Sequence, residues 1–483
     1  MPEAAAPVQP QIARRCPACG RVSAASDRCL HCWRDIAAVV PLHPEEAESV
    51  LKVDAALARR RNAGWLTAGR VWRYGSLAVV VLLVGWWVYG TFIDKPPRPD
   101  APSSTARSAA TGAWTTQDGD NRGTRSTTAS AHLGGGEAWR TALGSPAATA
   151  LVTDGRLLVA ALQDGRLVGL DASSGKTLWT AVLKNPPLSA PVIAGDRVYL
   201  AQREGLLLVL GTSDGKEVWR SPFLSSYLAE ASPLVVEGVV YVYSTDGLFA
   251  FDAEDGRPLW EQMFDAGRAT VAPVVEGNHL VIVTADQAIV FDRTSGQRTF
   301  YVTFSRSPPS SVAVRDGEVL AVYGRNATMF HAASLRPWWD GLANISIGGG
   351  TVRGAWFRLY LYGMAPAVPP QAFVWDVTVP PKRTMAAAMG QDVVVVTSPD
   401  GAVTALGRAD GKPVWTAKTN RLVAAPIVTA DGVLFAEEDR LLLLAAVTGQ
   451  QRAERKIDGL LGATPAEAAT YLATGAGDVI ALR

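Results

Sequence analysis

The stretch that decides the fold is QDGRLVGLDASSGKTLW, residues 163–179. It places two glycine turns, DG and DASSG, around the apolar run LVGL, and it ends in Trp179. Glycine accepts the positive φ that tight turns require, and a short apolar run between two turns is typical of a β-strand. The stretch therefore predicts short strands joined by tight turns.

Related lines recur at a nearly constant interval through the rest of the chain. They are REGLLLVLGTSDGKEVW at 203–219, TDGLFAFDAEDGRPLW at 245–260, PDGAVTALGRADGKPVW at 399–415 and, without a final aromatic, EDRLLLLAAVTGQQRAER at 438–455. Trp179 and Trp219 are 40 residues apart, and Trp260 follows after 41. Each repeat contains four short strands in about 40 residues, which is the pattern of a β-propeller blade.

The two ends of the repeat region complement each other. The C-terminal line TYLATGAGDVIALR, 470–483, stops before its tryptophan strand, and GGEAWRT, 135–141, supplies such a strand at the start. Pairing the two would close the ring and protect both edges. Counting every position equivalent to the final tryptophan of a repeat gives nine repeats, but residues 341–375 match the repeat pattern poorly. We expect an all-β propeller of eight four-stranded blades, with seven and nine as alternatives.

The recurring tryptophans are predicted to pack one blade against the next, because a large flat side chain at a fixed place suits a repeated interface. The predicted docking residues are Trp139, Trp179, Trp219, Trp260, Trp339 and Trp415.

The line GLDASSGKTLW at 169–179 resembles the tryptophan-docking repeat of the PQQ-like, or quinoprotein-type, β-propellers. The segment AWTTQDGDNRGT at 113–124 resembles the opening of such propellers. The resemblance covers roughly residues 113–483 and implies a ring of eight blades. It implies no single function, because the superfamily includes both dehydrogenases that use pyrroloquinoline quinone and non-catalytic scaffolds of outer-membrane barrel assembly.

All four cysteines of the chain lie in RRCPACGRVSAASDRCLHCWRD, residues 14–35. Two CxxC pairs present four thiolates to one Zn²⁺, and four protein ligands make a closed, structural site. The predicted ligands are Cys16, Cys19, Cys29 and Cys32. His31 is the alternative ligand, and a redox-active CxxC pair is the alternative role. Trp33 stands where a zinc knuckle commonly has glycine.

Residues 75–93, GSLAVVVLLVGWWVYGTFI, contain no charge over a length that spans a bilayer as a helix. More arginines precede this stretch than follow it, which predicts a cytosolic N-terminus. Cysteines confined to the N-terminal side agree with a reducing compartment there. The predicted organisation is 1–13 disordered, 14–40 zinc ribbon, 44–70 cytosolic helical juxtamembrane segment, 74–93 transmembrane helix, 94–112 Pro/Ser/Ala linker and 113–483 propeller.

The composition and the remaining motifs do not indicate catalysis. The chain of 483 residues has a formal net charge of +1, so no global basic field points to nucleic acid. GTSDG at 211–215 matches a nucleophile elbow and DAEDG at 252–256 a calcium loop, but both align with turns of the repeat. The cluster Glu437, Glu438 and Asp439 is interpreted as a solvated acidic turn.

The sequence therefore predicts a non-enzymatic scaffold or sensor, single-pass in the cytoplasmic membrane with its propeller outside. The propeller is expected to bind a protein or an envelope polymer, and the zinc ribbon a cytosolic protein. Zn²⁺ is the expected cofactor. The alternative is a quinoprotein-like dehydrogenase dependent on pyrroloquinoline quinone, and a third hypothesis has the ribbon contact nucleic acid; neither the quinone nor nucleic acid is expected.

Overall fold

The structure is a computed structural model whose chain divides into two compact units, Met1–Pro97 and Arg98–Arg483. The described residues are 12–24, 26–29, 32–43, 45–47, 49–50, 52, 74–85, 113–202, 207–221, 231–264, 270–285, 287–303, 309–332, 346–347, 350–351, 373–379, 386–398 and 400–483.

The N-terminal unit is built on a hairpin followed by a helix. Strands Ala13–Arg15 and Val22–Ala24 pair antiparallel, and residues 45–47, 49–50 and 52 are helical. Ala13, Val22 and Ala47 are buried together, so the helix shares a core with the ribbon although the sequence suggested separate segments. The first strand begins at Ala13, the last residue of the predicted disordered stretch, and residues 1–11 lie outside the described residues.

Residues 74–85 form a second helix, which begins the predicted transmembrane segment. Its large apolar side chains are exposed, among them Leu77, Val81 and Leu82. Residues 86–93 lie outside the described residues. Within the described part of the chain, no helix combines the length and apolarity needed to cross a membrane.

The second unit contains eight four-stranded antiparallel sheets, which we number as blades 1 to 8. The first strands of blades 1 to 8 are Val152–Thr153, Val192–Ala194, Leu234–Val236, Val274–Glu276, Pro309–Arg315, Ala386–Met389, Ile427–Thr429 and Leu460–Pro465. The second strands are Leu157–Ala161, Arg197–Ala201, Val239–Ser244, His279–Val283, Glu318–Tyr323, Val393–Thr397, Gly432–Ala436 and Thr470–Thr474.

The third and fourth strands complete each blade. The third strands are Arg166–Asp171, Leu207–Gly211, Gly247–Asp252, Gln287–Asp292, Asn326–His331, Ala402–Gly407, Arg440–Leu444 and Asp478–Leu482. The fourth strands are Thr177–Val182, Glu217–Arg220, Pro258–Met263, Arg298–Thr303, Phe373–Thr378, Pro413–Lys418, Gln451–Lys456 and Glu137–Ala142. A short hairpin, Ser346–Ile347 with Gly350–Thr351, lies between the third and fourth strands of blade 5.

The order of the strands in each blade runs from the axis outward. First strands contact one another from blade 1 to blade 3 and from blade 4 to blade 7, and the second and third strands are buried in almost every position. The fourth strands are more exposed: in Thr177–Val182, Trp179 is buried and Ala181 half-buried, and the residues around them are exposed. Valine, leucine and tyrosine fill the middle strands because a sheet covered on both faces favours apolar and β-branched side chains.

The ring closes as the sequence predicted, and the count of eight blades is confirmed. Strand Glu137–Ala142 pairs with the C-terminal strand Asp478–Leu482, with Trp139 opposite Ala481. The first strand of the propeller region is thus the outermost strand of the last blade, and neither chain end leaves an unpaired edge inside the ring.

The core is divided into eight apolar clusters, one at each interface between neighbouring blades. The cluster between blades 8 and 1 joins Tyr471 and Val479 to Leu158 and Val168. It resembles the other seven in size and composition, so the junction where the chain begins and ends is packed like any other.

Candidate functional site: a four-cysteine centre and an axial well

The four cysteines predicted as ligands lie together in the N-terminal unit. Their Sγ atoms are all within 4.8 Å of one another. The Sγ atoms of Cys16 and Cys32 are 3.6 Å apart, and those of Cys19 and Cys29 are 3.5 Å apart. Tetrahedral zinc with Zn–S bonds of about 2.3 Å requires sulfur–sulfur distances of about 3.8 Å. The donor set and its spacing therefore fit a closed metal site.

The two cysteine pairs form two backbone turns of the same type. The N–H of Gly20 donates to the Cys16 carbonyl at 2.8 Å, and the N–H of Trp33 donates to the Cys29 carbonyl at 2.9 Å. Gly20 has φ 70° and Trp33 has φ 60°. Trp33 thus adopts the left-handed conformation that glycine adopts in the first turn, and its side chain is 73% exposed. The knuckle geometry that Trp33 made doubtful in the sequence is preserved.

The first turn also favours a thiolate. The backbone N–H of Cys19 lowers the pKa of Cys16, and burial of the thiol opposes this effect. Cys16 and Cys29 are buried, whereas Cys19 and Cys32 are exposed. Metal ligation needs the deprotonated form, so N–H groups directed at a sulfur support the metal-bound state. His31 lies outside the described residues.

In the second unit, residues 113–131 form an axial segment that touches every blade. It is bonded to first strands near the ends where these turn into the second strands. The carbonyls of Trp114, Thr115, Asn121, Arg122, Thr124 and Arg125 accept from Thr153, Ile193, Val275, Val314, Met389 and Val428 of blades 1, 2, 4, 5, 6 and 7. In blade 3, Asn121 Nδ2 donates to the carbonyl of Val235 at 2.9 Å. In blade 8, Thr470 Oγ1 donates to the carbonyl of Ala131 at 2.8 Å.

The axial segment is hydrogen-bonded to the first strands of blades 1 to 7 and to the second strand of blade 8, so it follows the inner side of the ring from blade to blade. A cavity of about 500 Å³ lies against this segment. Its lining includes Trp114, Gln117 and Arg125 of the axial segment, with Thr149, which precedes blade 1, and Thr464 of blade 8. We call this cavity the axial well.

The axial well does not fit the quinone cofactor that some quinoprotein-type propellers use. Pyrroloquinoline quinone is a polycarboxylate held with Ca²⁺, so it needs cations and metal-binding carboxylates. Among the described residues, the lining contains one cation, Arg125, and no carboxylate. Arg125 already pairs with Asp118, whose oxygen lies 2.5 Å from its Nη2. Alanines and neutral amides and hydroxyls make up most of the rest.

The docking tryptophans lie against the glycine turns of the following blade. A Cβ atom added to Gly215 would lie 2.5 Å from the indole of Trp179, and Gly175, Gly256, Gly296 and Gly449 meet Trp139, Trp219, Trp260 and Trp415 in the same way. Trp179 Nε1 also donates to the carbonyl of Thr212 at 2.7 Å. The GTSDG motif is this turn: Thr212 and Gly215 contact the indole, and Ser213 is exposed.

Trp339 lies outside the described residues, and Trp375 occupies the docking position of blade 5. Trp375 pairs with Met329 as Trp179 pairs with Gly169, and its Nε1 donates to the carbonyl of Arg408 at 2.7 Å. The third and fourth strands of blade 5 are separated by residues 332–372, where other blades have a short turn. This insertion explains why counting tryptophans gave one repeat too many.

Two buried charges were missed or misinterpreted in the sequence. Arg408 of blade 6 bonds Glu318 at 3.0 Å and Asp316 at 2.8 Å, both in blade 5. Glu437 was interpreted as part of a solvated acidic turn, but its side chain is fully buried and pairs with Arg440 Nε at 2.6 Å. For Glu437 that interpretation was wrong, because the turn places it inward, where Arg440 and the N–H of Asn420 satisfy it. Only the spacing Glu437–Arg440 hinted at this. Glu438 and Asp439 are exposed.

The comparisons with known proteins agree with this architecture. The family described as outer membrane protein assembly factor BamB matches residues 122–225, 163–262, 204–336 and 369–483. No curated protein matches the sequence.

Solved structures similar to this chain include BamB, an alcohol dehydrogenase and a designed protein. BamB from Moraxella catarrhalis is 16% identical, covering 72% of this chain and 96% of its own, with a TM-score of 0.53. Quinohemoprotein alcohol dehydrogenase from Comamonas testosteroni is 14% identical, covering 77% and 80%, with a TM-score of 0.56. The computationally designed Ika8 protein is 14% identical, covering 71% and 97%, with a TM-score of 0.55. Such identities show the fold alone, but the family match spans more than half of the sequence, and the chain belongs to the PQQ-type repeat family described as outer membrane protein assembly factor BamB.

Proposed function

We propose that the chain is a non-enzymatic, membrane-anchored scaffold whose propeller binds a protein of the cell envelope. The observation that carries the proposal is the axial well. Its described lining contains one cation, Arg125, which already pairs with Asp118, and no carboxylate, so it does not suit a quinone held with Ca²⁺. Membership in a family described as an assembly factor supports a protein partner.

A direct test places a photo-crosslinking residue at Gln163, which lines the axial well and is exposed. The full-length chain is expressed in its native membrane, crosslinked and purified. We expect one dominant crosslinked protein from the envelope. The purified chain is then given pyrroloquinoline quinone, Ca²⁺, alcohols, sugars and an electron acceptor. Turnover that requires the quinone would contradict the scaffold and establish the alternative, a quinoprotein-like dehydrogenase.

The anchoring part of the proposal rests on the exposed apolar helix at residues 74–85 and on the uncharged continuation of the sequence to Ile93. Exposed leucine and valine along a helix are unfavourable in water and favourable in lipid. The proposed topology has the N-terminus in the cytosol and the propeller outside. A fluorescent protein that matures only in the cytosol should report from the N-terminus, and a signal from the C-terminus alone would reverse the topology.

The cytosolic part of the proposal is a zinc ribbon that binds a protein. Four sulfurs within 4.8 Å of one another support one structural Zn²⁺. Elemental analysis of the purified full-length chain should give about one zinc per chain, falling to none when Cys16 and Cys29 are both changed to serine. Retention of RNA or DNA by the native chain, lost in the same variant, would favour the nucleic-acid hypothesis over the protein partner.

A further inference from the structure

The fourth strands of the blades are the exposed edges of eight sheets, and seven of them share one protective feature. An edge strand offers unpaired N–H and C=O groups, which proteins shield with charged residues or proline. Seven fourth strands contain at least one such residue: EVWR, PLWEQM, RTFYVT, FVWDVT, PVWTAK, QRAERK and EAWRTA. The fourth strand of blade 1, TLWTAV, contains none.

The blade 1 edge is also apolar on its accessible side. Leu178 is 51% exposed and Val182 is 81% exposed, with exposed Thr180 between them. Trp179, by contrast, is buried against blade 2. An incoming strand would therefore meet a row of one aliphatic, one β-branched polar and one β-branched apolar side chain.

The backbone groups of this edge point outward. Leu183 N–H donates inward to the carbonyl of Gly165. Because donors alternate in an antiparallel ladder, Ala181 also bonds inward, and Thr180 and Val182 direct their N–H and C=O groups away from the sheet. In the part of the chain that the structure describes, Thr177–Val182 is the last strand of its sheet.

Two lysines flank the uncharged edge. Lys176 precedes the strand and Lys184 follows it, and both are exposed. Between them lie seven residues without a charge. An extended segment paired with this edge would place its ends beside the two ammonium groups, so acidic residues at those ends are favoured and basic ones are disfavoured.

We propose that the fourth strand of blade 1 is a docking edge for an extended segment of the partner protein, which adds to blade 1 as a fifth strand. The segment carries uncharged, alternating apolar and small polar residues with a carboxylate at each end. Main-chain hydrogen bonds supply the binding, and the alternating side chains and the flanking charges supply the selectivity. This inference rests on the proposed scaffold function and names the contact that the scaffold uses.

The test uses the full-length chain and two labelled peptides. In one peptide, alternating valine and threonine are flanked by aspartates, and in the other the same residues are flanked by lysines. Binding is measured by fluorescence anisotropy for the native chain and for Leu178→Lys, Thr180→Pro and Val414→Lys. Val414 is the matched control, because it also precedes a docking tryptophan and is 49% exposed, but its strand already contains Pro413 and Lys418.

We expect the aspartate-flanked peptide to bind the native chain and the Val414→Lys variant equally, and the lysine-flanked peptide to bind at least ~10-fold more weakly. Leu178→Lys and Thr180→Pro should each weaken binding by ~10-fold or more. Hydrogen exchange should slow at Thr180 and Val182 when the peptide binds. Leu178→Lys keeps the backbone unchanged, so the test survives if Thr180→Pro fails to fold.

Equal binding to the native chain and to Leu178→Lys would overturn the docking edge, as would the absence of binding. Self-association that Leu178→Lys abolishes would also overturn it, because the occupant would then be a second copy of this chain. If crosslinking at Gln163 captures an envelope protein and Leu178→Lys leaves that capture unchanged, the scaffold stands and the docking edge fails. The two proposals are thus separable.

Discussion

At the scale of single residues, the docking glycines meet two separate demands. Gly215 has φ +64°, and a Cβ atom there would lie 2.5 Å from the ring of Trp179. Gly277 has φ +58°, but nothing lies within 4 Å of its added Cβ. The pair therefore separates the backbone requirement from the packing requirement.

We predict that Gly277→Ala costs about 1–2 kcal/mol, the ordinary penalty of a left-handed conformation for alanine. Gly215→Ala should cost about 1–3 kcal/mol more, because the indole must move. Chemical denaturation of both variants measures the difference. Equal losses would mean that the tryptophan shifts freely and that docking does not hold neighbouring blades together.

Trp33 is strained and yet supported by little packing. Its φ of 60° belongs to the region that glycine adopts without penalty. Its exposed side chain has little packing to lose. We predict that Trp33→Gly stabilises the metal-bound ribbon by about 1 kcal/mol, roughly a fivefold gain in apparent zinc affinity. Competition with a chelator tests this, with Trp33→Ala as the control that keeps a Cβ and should gain nothing.

The ionisation of Asp171, in a turn of blade 1, makes the stability of the folded chain depend on pH. Hydrogen bonds from the hydroxyls of Ser173 and Ser174 hold the pKa of Asp171 at about 2, below its ordinary value of 3.8. A carboxyl whose pKa is lower in the folded state favours folding while it is ionised. Its contribution is therefore complete above about pH 4 and is lost as the pH falls through about 2. We predict that Asp171→Asn flattens this part of the profile of denaturation midpoint against pH, and an unchanged profile would contradict it.

At the scale of elements, the sequence predicted the blades well because the signals that determine the four strands lie within each repeat. Glycine turns such as the one at Gly175 bracket short apolar runs, and these local signals fix four strands without help from distant residues. The long insertion of blade 5 interrupts this pattern. There Trp339 lies nearest to the expected spacing and was predicted as the docking residue. The docking position is instead held by Trp375, in the strand that begins at Phe373.

The axial segment shows what the sequence could not predict. Residues 113–131 have no repeat to align with, and Asn121 bonds Val235 and Val275, which are more than 100 residues away. Contacts of that kind depend on the assembled ring and leave no local periodicity. The burial of Glu437 was missed for the same reason. Three adjacent acidic residues indicate a solvated turn, and only the folded structure shows that the turn directs one of them inward.

We predict that Asn121→Ala loosens blade 3 more than the other blades. The side-chain amide donates to Val235 in blade 3 at 2.9 Å, and the backbone carbonyl of the same residue accepts from Val275 in blade 4. Loss of the amide should cost about 1 kcal/mol. Hydrogen exchange should accelerate at 234–236 and remain unchanged at 427–429, and exposed Thr128→Ala serves as the control. Uniform acceleration in all blades would mean that the axial segment is held only as a whole.

At the scale of the whole molecule, stability depends on eight junctions between neighbouring blades, one of which is built differently from the others. Eight similar clusters join the blades, and the closing pair of strands completes the eighth sheet. The interface between blades 7 and 8 lacks a docking tryptophan: Ala453 holds that register position, and Arg455 instead bonds the carbonyls of Leu133 and Gly135. The two chain ends of the propeller replace the glycine turn found in other blades, so closure relies on a polar clamp at this one place.

That clamp allows the closure to be tested without deleting a strand. A Cβ atom on Gly135 would lie 1.6 Å from the carbonyl oxygen of Arg483, so Gly135→Ala must displace the C-terminus or open the last sheet. We predict that Gly135→Ala lowers the free energy of unfolding by about 1–3 kcal/mol and makes residues 478–482 sensitive to protease. Removal of Arg483 alone should cost less, since its carbonyl lies at the end of the ladder. The combined variant should be no less stable than the truncation, because the clash has lost its partner and the two changes are therefore not additive. Additive losses would show that the cost of Gly135→Ala comes from the backbone conformation of residue 135 and not from a clash with Arg483. The close approach of Gly135 to the C-terminus would then be contradicted.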